Sequence, residues 1–189
     1  MGLYLNPNAD AFQMGLNTEI YVDKSLILSE LNKLVSSQGN FVCLSRPRRF
    51  GKSMAGNMIS AYYSKGCDTR EVFSQMKLGQ EPCFDKYLNK FNVIKLDLNG
   101  WYQNTKKKNT HASLIEQIDK IVAEEFKEQF QNIVFGDDEN SIDKCISKVY
   151  KLTGEKFVII IDEYDVLIRE RVPQSLFDSY LSFLNGLFK

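Results

Sequence analysis

Histidine is almost missing from this chain: His111 is the only one in 189 residues. The four cysteines, Cys43, Cys67, Cys83 and Cys145, stand far apart and form no Cys-x-x-Cys pair. So few nitrogen and sulfur donors make a zinc site unexpected, and unpaired thiols so spaced point to a reduced, cytoplasmic setting. An excess of one charge is lacking too. Lys plus Arg and Asp plus Glu each number 24, so no global field draws the protein to nucleic acid or an anionic membrane, and any such affinity must come from a local patch. No stretch approaches the roughly 18 apolar residues of a membrane span, and the start MGLYLNPNADAF has no basic region followed by an apolar run. Neither membrane insertion nor export is expected. Internal repeats and low-complexity tracts are also absent.

What is present is the composition of an ordinary globular domain, 43% hydrophobic and 25% charged, long enough for one substantial core. Between Tyr21 and Ser37 the residues Ile27, Leu28, Leu31, Leu34 and Val35 recur at helical spacing, with Asp23 or Ser25 placed to cap. Phe41 to Leu44 is a short apolar run suited to a strand buried on both faces. A helix is expected over 52–65, short turns and loop over 67–90 with Phe73, Met76, Leu78 and Phe84 as anchors, and a strand over 92–98. Trp101 to Asn109, holding Lys106, Lys107 and Lys108, reads as an exposed loop in which the lysines are solvated and Trp101 and Tyr102 serve as anchors rather than base-stacking rings. Further helices are expected over 112–131, from a cap at Ser141 to about Leu152, and after Pro173 to the end, with a strand over 156–161. Apolar strands alternating with helices imply a parallel sheet covered on both faces.

Two motifs carry chemistry. Residues 44–56, LSRPRRFGKSMAG, place Gly51-Lys52-Ser53 between an expected strand and an expected helix. That order suits a bound phosphate: Gly51 lets backbone approach closely, Lys52 can reach the β- and γ-phosphates, and the Ser53 hydroxyl can bind Mg²⁺. The pattern G-x-x-x-x-G-K-[ST] would have glycine at position 46, where this chain has Arg46; with Arg48 and Arg49 it adds positive charge. A basic turn before a helix would carry the same residues. The second motif shifts the balance: five apolar residues, Phe157 to Ile161, run into Asp162-Glu163, the Walker B arrangement. Asp162 can hold Mg²⁺ directly or through water, and Glu163 can polarise the attacking water. Asp165 is read as a helix cap, His111 as a solvated or capping residue, and Arg169 and Arg171 as surface arginines with a charge-stabilising role as the alternative.

Tyr21-Val22-Asp23-Lys24, Leu44 to Ser53 and Ile161 to Asp165 together resemble the bacterial AAA-ATPase-like family, as do Gly2 to Pro7 and Ala61 to Cys67. Its members carry a serine-arginine-proline-arginine-arginine loop in place of the first glycine. The resemblance covers nearly the whole chain and implies one domain over 1–189, with an upstream segment and helix over 1–40 and a core over 41–189. The implied fold is α/β, a P-loop NTPase-like three-layer sandwich with a parallel sheet, incomplete here. It implies ATP and Mg²⁺, with Arg46, Arg48, Arg49, Phe50, Gly51, Lys52, Ser53, Met54 and Asp23 on the nucleotide, Ser53 and Asp162 on the metal and Glu163 as catalytic base. Tyr21 and Lys24 belong to the segment expected near the adenine. Longer relatives continue with a sensor strand, a lid and often a nuclease-like domain. This chain stops at Lys189, so either the strands flanking the sensor position pair directly or an open edge favours self-association. The rival readings are a scaffold that binds nucleotide without turnover, or a nucleic-acid binder using the arginines and lysines.

Overall fold

A computed structural model describes residues 2–35, 37–45, 47, 50–108, 110 and 113–188. The chain is mixed α/β. Its elements run α1 (Asp10–Leu16), α2 (Leu26–Leu34), α3 (Lys52–Tyr63), α4 (Arg70–Ser74), a 3-10 turn (Lys77–Gln80), β1 (Asn92–Asp97), α5 (Leu98–Lys107), α6 (Leu114–Gln129), α7 (Ile142–Thr153), β2 (Phe157–Asp162), α8 (Val166–Arg169) and α9 (Gln174–Leu187). β1 and β2 form a two-stranded parallel sheet. Two compact units divide the chain, the first comprising Asn6–Ile94 with Val158–Ile160, the second Gly2–Leu5, Lys95–Phe157 and the chain from Ile161 onward.

The first unit is built on aromatic side chains. Phe12 stacks on Phe73 at 5.3 Å, and Tyr62 meets Tyr63 and Phe73 edge-on at 4.9 and 5.4 Å. Leu28, Met58, Ala61, Leu78 and Val93 close around them. Two hydroxyls in an apolar core need partners, and buried Asn32 of α2 supplies them. Its Nδ2 donates to Tyr62 Oη at 2.9 Å and its Oδ1 accepts from Tyr63 Oη at 2.8 Å, while Tyr62 Oη donates to Phe84 O at 2.8 Å. This network fixes the C-terminal half of α3 and so sets where its N-terminus points. Burial pushes both tyrosine pKa values up, so the hydroxyls stay protonated as donors.

The expected strand over 41–44 is not formed. Those residues are irregular, with Phe41, Val42 and Leu44 exposed by 64, 45 and 42%. An apolar run becomes a strand only where another strand satisfies its amides and carbonyls, and among the described residues no strand pairs with it. The direct pairing considered for the flanking strands is therefore absent among the described residues. The other side of β1 is covered instead by the chain's start, where Asn6 N–H donates to Val93 O at 2.7 Å and Lys95 N–H to Tyr4 O at 2.9 Å. Helix α2 is shorter than Tyr21–Ser37, and the 67–90 stretch has the expected short turns, with Phe73, Met76, Leu78 and Phe84 buried.

In the second unit the expected loop after Leu98 is helix α5. Asp97 caps it, its Oδ1 accepting from Asn99 N–H and Gly100 N–H at 3.0 and 3.1 Å, and Lys106 and Lys107 lie in the last turn, where they complement the helix dipole. Trp101 and Tyr102 are 7 and 5% exposed, so they do anchor the segment, though from a helix. Helix α7 follows Ser141 as expected, but the Ser141 hydroxyl donates to Asp143 Oδ1, and Asp119 of α6 accepts the Ile142 N–H at 3.0 Å. Phe126, Phe130 and Phe157 pack as a ring cluster, and Ile118, Val122, Cys145 and Val149 are buried. Among the described residues no helix is long and apolar enough to cross a membrane.

Candidate functional site

The phosphate-loop residues belong to the first unit. Gly51 has φ 77° and ψ 30°, the left-handed conformation, and its carbonyl accepts the Ala55 N–H at 2.9 Å. The chain turns here into α3, whose first-turn amides from Lys52 to Met54 have no acceptor within the helix. The positive end of the helix dipole coincides with them, which is the local arrangement a bound phosphate uses. Lys52 is half-buried, Ser53 and Phe50 are exposed, and the Met54 thioether packs onto Gly15, which leaves any part for Met54 to its backbone. Arg46, Arg48 and Arg49, like His111, lie outside the described residues.

The Tyr-Val-Asp-Lys segment reaches this turn. Lys24 Nζ donates to Phe50 O at 3.0 Å, adding a second cation beside Lys52's end of the loop. Asp23 does something else. Its Oδ1 accepts the Ser25 N–H and its Oδ2 the Lys77 N–H, each at 2.8 Å, and the buried Ser25 hydroxyl accepts the Leu78 N–H at 3.0 Å. Burial alone would raise the Asp23 pKa, but the amides of Lys77 and Ser25 outweigh it and hold the carboxyl below its ordinary value. Asp23 and Ser25 thus tie the entry of α2 to the turn at Lys77. Tyr21 is pushed up to about 12 by burial and by Asp23, so its hydroxyl stays protonated.

The acidic motif belongs to the second unit. β2 ends at Asp162, half-buried, whose Oδ1 accepts the Glu163 N–H at 2.9 Å. Glu163 has φ 52°, in the left-handed region that residues with a Cβ normally avoid, at a cost of about 1–2 kcal/mol. Such strain gathers at functional turns. Val166 N–H donates to Glu163 O at 3.0 Å, and Tyr180 of α9 donates its hydroxyl to Tyr164 O at 2.6 Å, so both sides of the turn are held. Asp165 stands at the start of α8 but makes no capping bond; its carboxylate accepts from Arg169 instead, as does Glu163. Lys95 on β1 is half-buried; burial lowers its pKa, and the carboxylates of Asp162 and Asp97 partly offset this.

Sequence reasoning did not find three of these contacts: Arg169 on Glu163, Tyr180 on Tyr164, and the Lys95 charge near Asp162. Only the Arg169 cluster had a signal, the four-residue step from Asp165 to Arg169 on one helix. Elsewhere in the second unit a cavity of about 510 Å³ among α6, α7 and α9 is lined by Glu116, Asp119, Asp143 and Asp178 over Phe183 and Leu187. Four carboxylates give this cavity the wrong sign for a nucleotide.

Oxygen donors such as Ser53 Oγ and the Asp162 carboxylate suit a hard cation like Mg²⁺, which is commonly held by one or two side chains with the remaining ligands from water and phosphate. Among the described residues no cluster of three or more His, Cys, Asp or Glu could form a protein-only metal cage. No curated protein and no solved structure matches the chain. Residues 11–189, by contrast, match the model of the AAA-ATPase-like family, described as predicted AAA-ATPase, and the chain belongs to that family.

Proposed function

We propose that the chain is an Mg²⁺-dependent ATP-binding module that hydrolyses ATP, with the phosphate loop and the acidic motif serving one nucleotide. The left-handed Gly51 that feeds Lys52 and Ser53 into the first turn of α3 carries this reading, together with the family match over residues 11–189. First-turn amides and Lys52 hold the β- and γ-phosphates, with Lys24 adding charge beside the loop. Arg46, Arg48 and Arg49 screen the remaining negative charge. Ser53 and Asp162 would hold Mg²⁺, which when bound neutralises charge developing on the phosphate oxygens. Glu163 orients water and accepts its proton. We also read the sheet as part of a three-layer P-loop fold, an arrangement that the two parallel strands suit.

Thermal unfolding and phosphate release, each with and without Mg²⁺, test the proposal. ATP at about 100 times its Kd stabilises a binding-competent protein by about 2.7 kcal/mol, a shift Lys52→Ala should remove along with phosphate release. Equal stabilisation and equal release from parent and variant would overturn it. Stabilisation by ATP without release above the variant's background would favour a nucleotide-binding scaffold.

A further inference from the structure

The Glu163 carboxylate is not presented alone. Its Oε2 accepts from Arg169 Nη1 at 3.1 Å, and the same nitrogen reaches Asp165 Oδ2 at 3.3 Å and Oδ1 at 3.4 Å. The side chains of Arg169, Glu163 and Asp165 are 32, 28 and 50% exposed, so the network is neither sealed nor fully solvated. Its geometry is set by backbone: Arg169 N–H donates to Asp165 O at 2.9 Å, closing the single turn of α8, and the Tyr180 hydroxyl holds the carbonyl of Tyr164.

We propose that Arg169 is a positioning residue that latches Glu163 in an ion pair, and that water activation requires Glu163 to leave this partner. The inference rests on the ATPase reading above. A general base takes a proton with a lone pair, and the lone pair on Oε2 faces a guanidinium, which has five donors, no acceptor and no proton to give up at accessible pH. An arginine acting on a transferring phosphate would have to be clear of carboxylates; Arg169 engages two. Asp165 gives the guanidinium a second anchor, so the arginine stays in place when Glu163 swings away and can recapture it. The left-handed backbone at Glu163 aims the side chain from outside the α8 helix, where a change of rotamer alone can exchange Arg169 for water.

Steady-state hydrolysis of MgATP by the full chain, with Arg169→Ala and Arg169→Lys, tests the latch beside an apo-protein urea-unfolding cycle combining Arg169→Ala with Glu163→Gln. Release should raise kcat about two- to five-fold, the occupancy ratio a partly exposed ion pair sustains, with KM unchanged. Arg169→Lys, a point charge unable to bridge both carboxylates as well, should fall between. The apo cycle should show a coupling factor of about two to five in the unfolding constant. A fall in kcat, an unchanged kcat, or additive unfolding effects would overturn the latch. Should Arg169→Ala misfold, the same kcat criterion applies to Arg169→Lys. If parent, Arg169→Ala and Lys52→Ala all release phosphate equally, the ATPase reading fails and the latch with it; if only Lys52→Ala is inactive while Arg169→Ala gains nothing, the latch alone fails.

Discussion

Replacing Gly51 by alanine separates two costs that usually travel together. The residue has φ 77°, and a Cβ built on it lies 3.3 Å from Lys24 Nζ. A left-handed alanine costs about 1–2 kcal/mol, and reduced freedom of the unfolded chain returns about 0.4–1 kcal/mol. Displacing the Lys24 ammonium adds the loss of its bond to Phe50 O, which at an exposed site is worth about 0.5–1 kcal/mol. Gly154, at the end of α7, supplies the control: φ is 72°, yet nothing lies within 4 Å of the place an alanine methyl would take. Gly154→Ala therefore measures the conformational cost alone. By urea unfolding at constant m-value, Gly51→Ala should be more destabilising than Gly154→Ala by about 0.5–1 kcal/mol, and the excess should vanish in a Lys24→Met background. Equal effects of the two alanines, or an excess that survives Lys24→Met, would refute the claim that Lys24 is seated against the loop.

Two further outcomes are expected. Asn32→Ala removes one donor and one acceptor from the Tyr62–Tyr63 network and leaves the Tyr63 hydroxyl buried without its acceptor, so a loss of about 2–4 kcal/mol is expected in urea unfolding; adding Tyr63→Phe to that variant should cost little more, since the stranded hydroxyl is then gone. Burial raises the Asp119 pKa, with nearby Asp143 adding to it and the Ile142 N–H opposing it. The folded chain therefore keeps this proton longer than the unfolded chain, and stability falls as pH rises from the ordinary value of 3.8 through the raised folded value. Asp119→Asn keeps an acceptor for Ile142 and should remove that fall, becoming more stable than the parent at neutral pH while matching it in acid, as thermal unfolding across pH would show.

Local pattern makes most of the helices legible. Leu114, Ile118, Val122 and Phe126 repeat at helical spacing and all are buried in α6, while Pro173 marks the start of α9. Residues 41–44 and 157–161 look alike as apolar runs, but only the second is a strand, because β1 is there to pair with it. Strand formation depends on a neighbour that composition does not reveal. Helix α5 is hidden for the opposite reason: its lysines suggest a loop, although Leu98, Trp101, Tyr102 and Thr105 share one buried face at helical steps and Asp97 caps them. Long-range anchors leave no trace in the sequence at all. Glu125, on α6, accepts the N–H groups of Leu3, Tyr4 and Leu5 at 2.8, 3.0 and 2.7 Å across a large separation in the chain, and nothing near either partner signals the other.

The same division runs through the site. Gly51, Lys52 and Ser53 can be read because their roles depend on consecutive residues at one turn, and Asp162 and Glu163 because they end an apolar run. Contacts that regulate those residues come from farther away. Arg169 meets Asp165 at a step of four, which a helix makes legible, but it meets Glu163 at a step of six, which no regular helix brings together. That second contact exists because Glu163 lies outside α8 with φ 52°, folding its side chain back toward the helix end. A sequence motif identifies which carboxylate can act as a base; the backbone conformation of that one residue determines what the carboxylate must leave before it can do so.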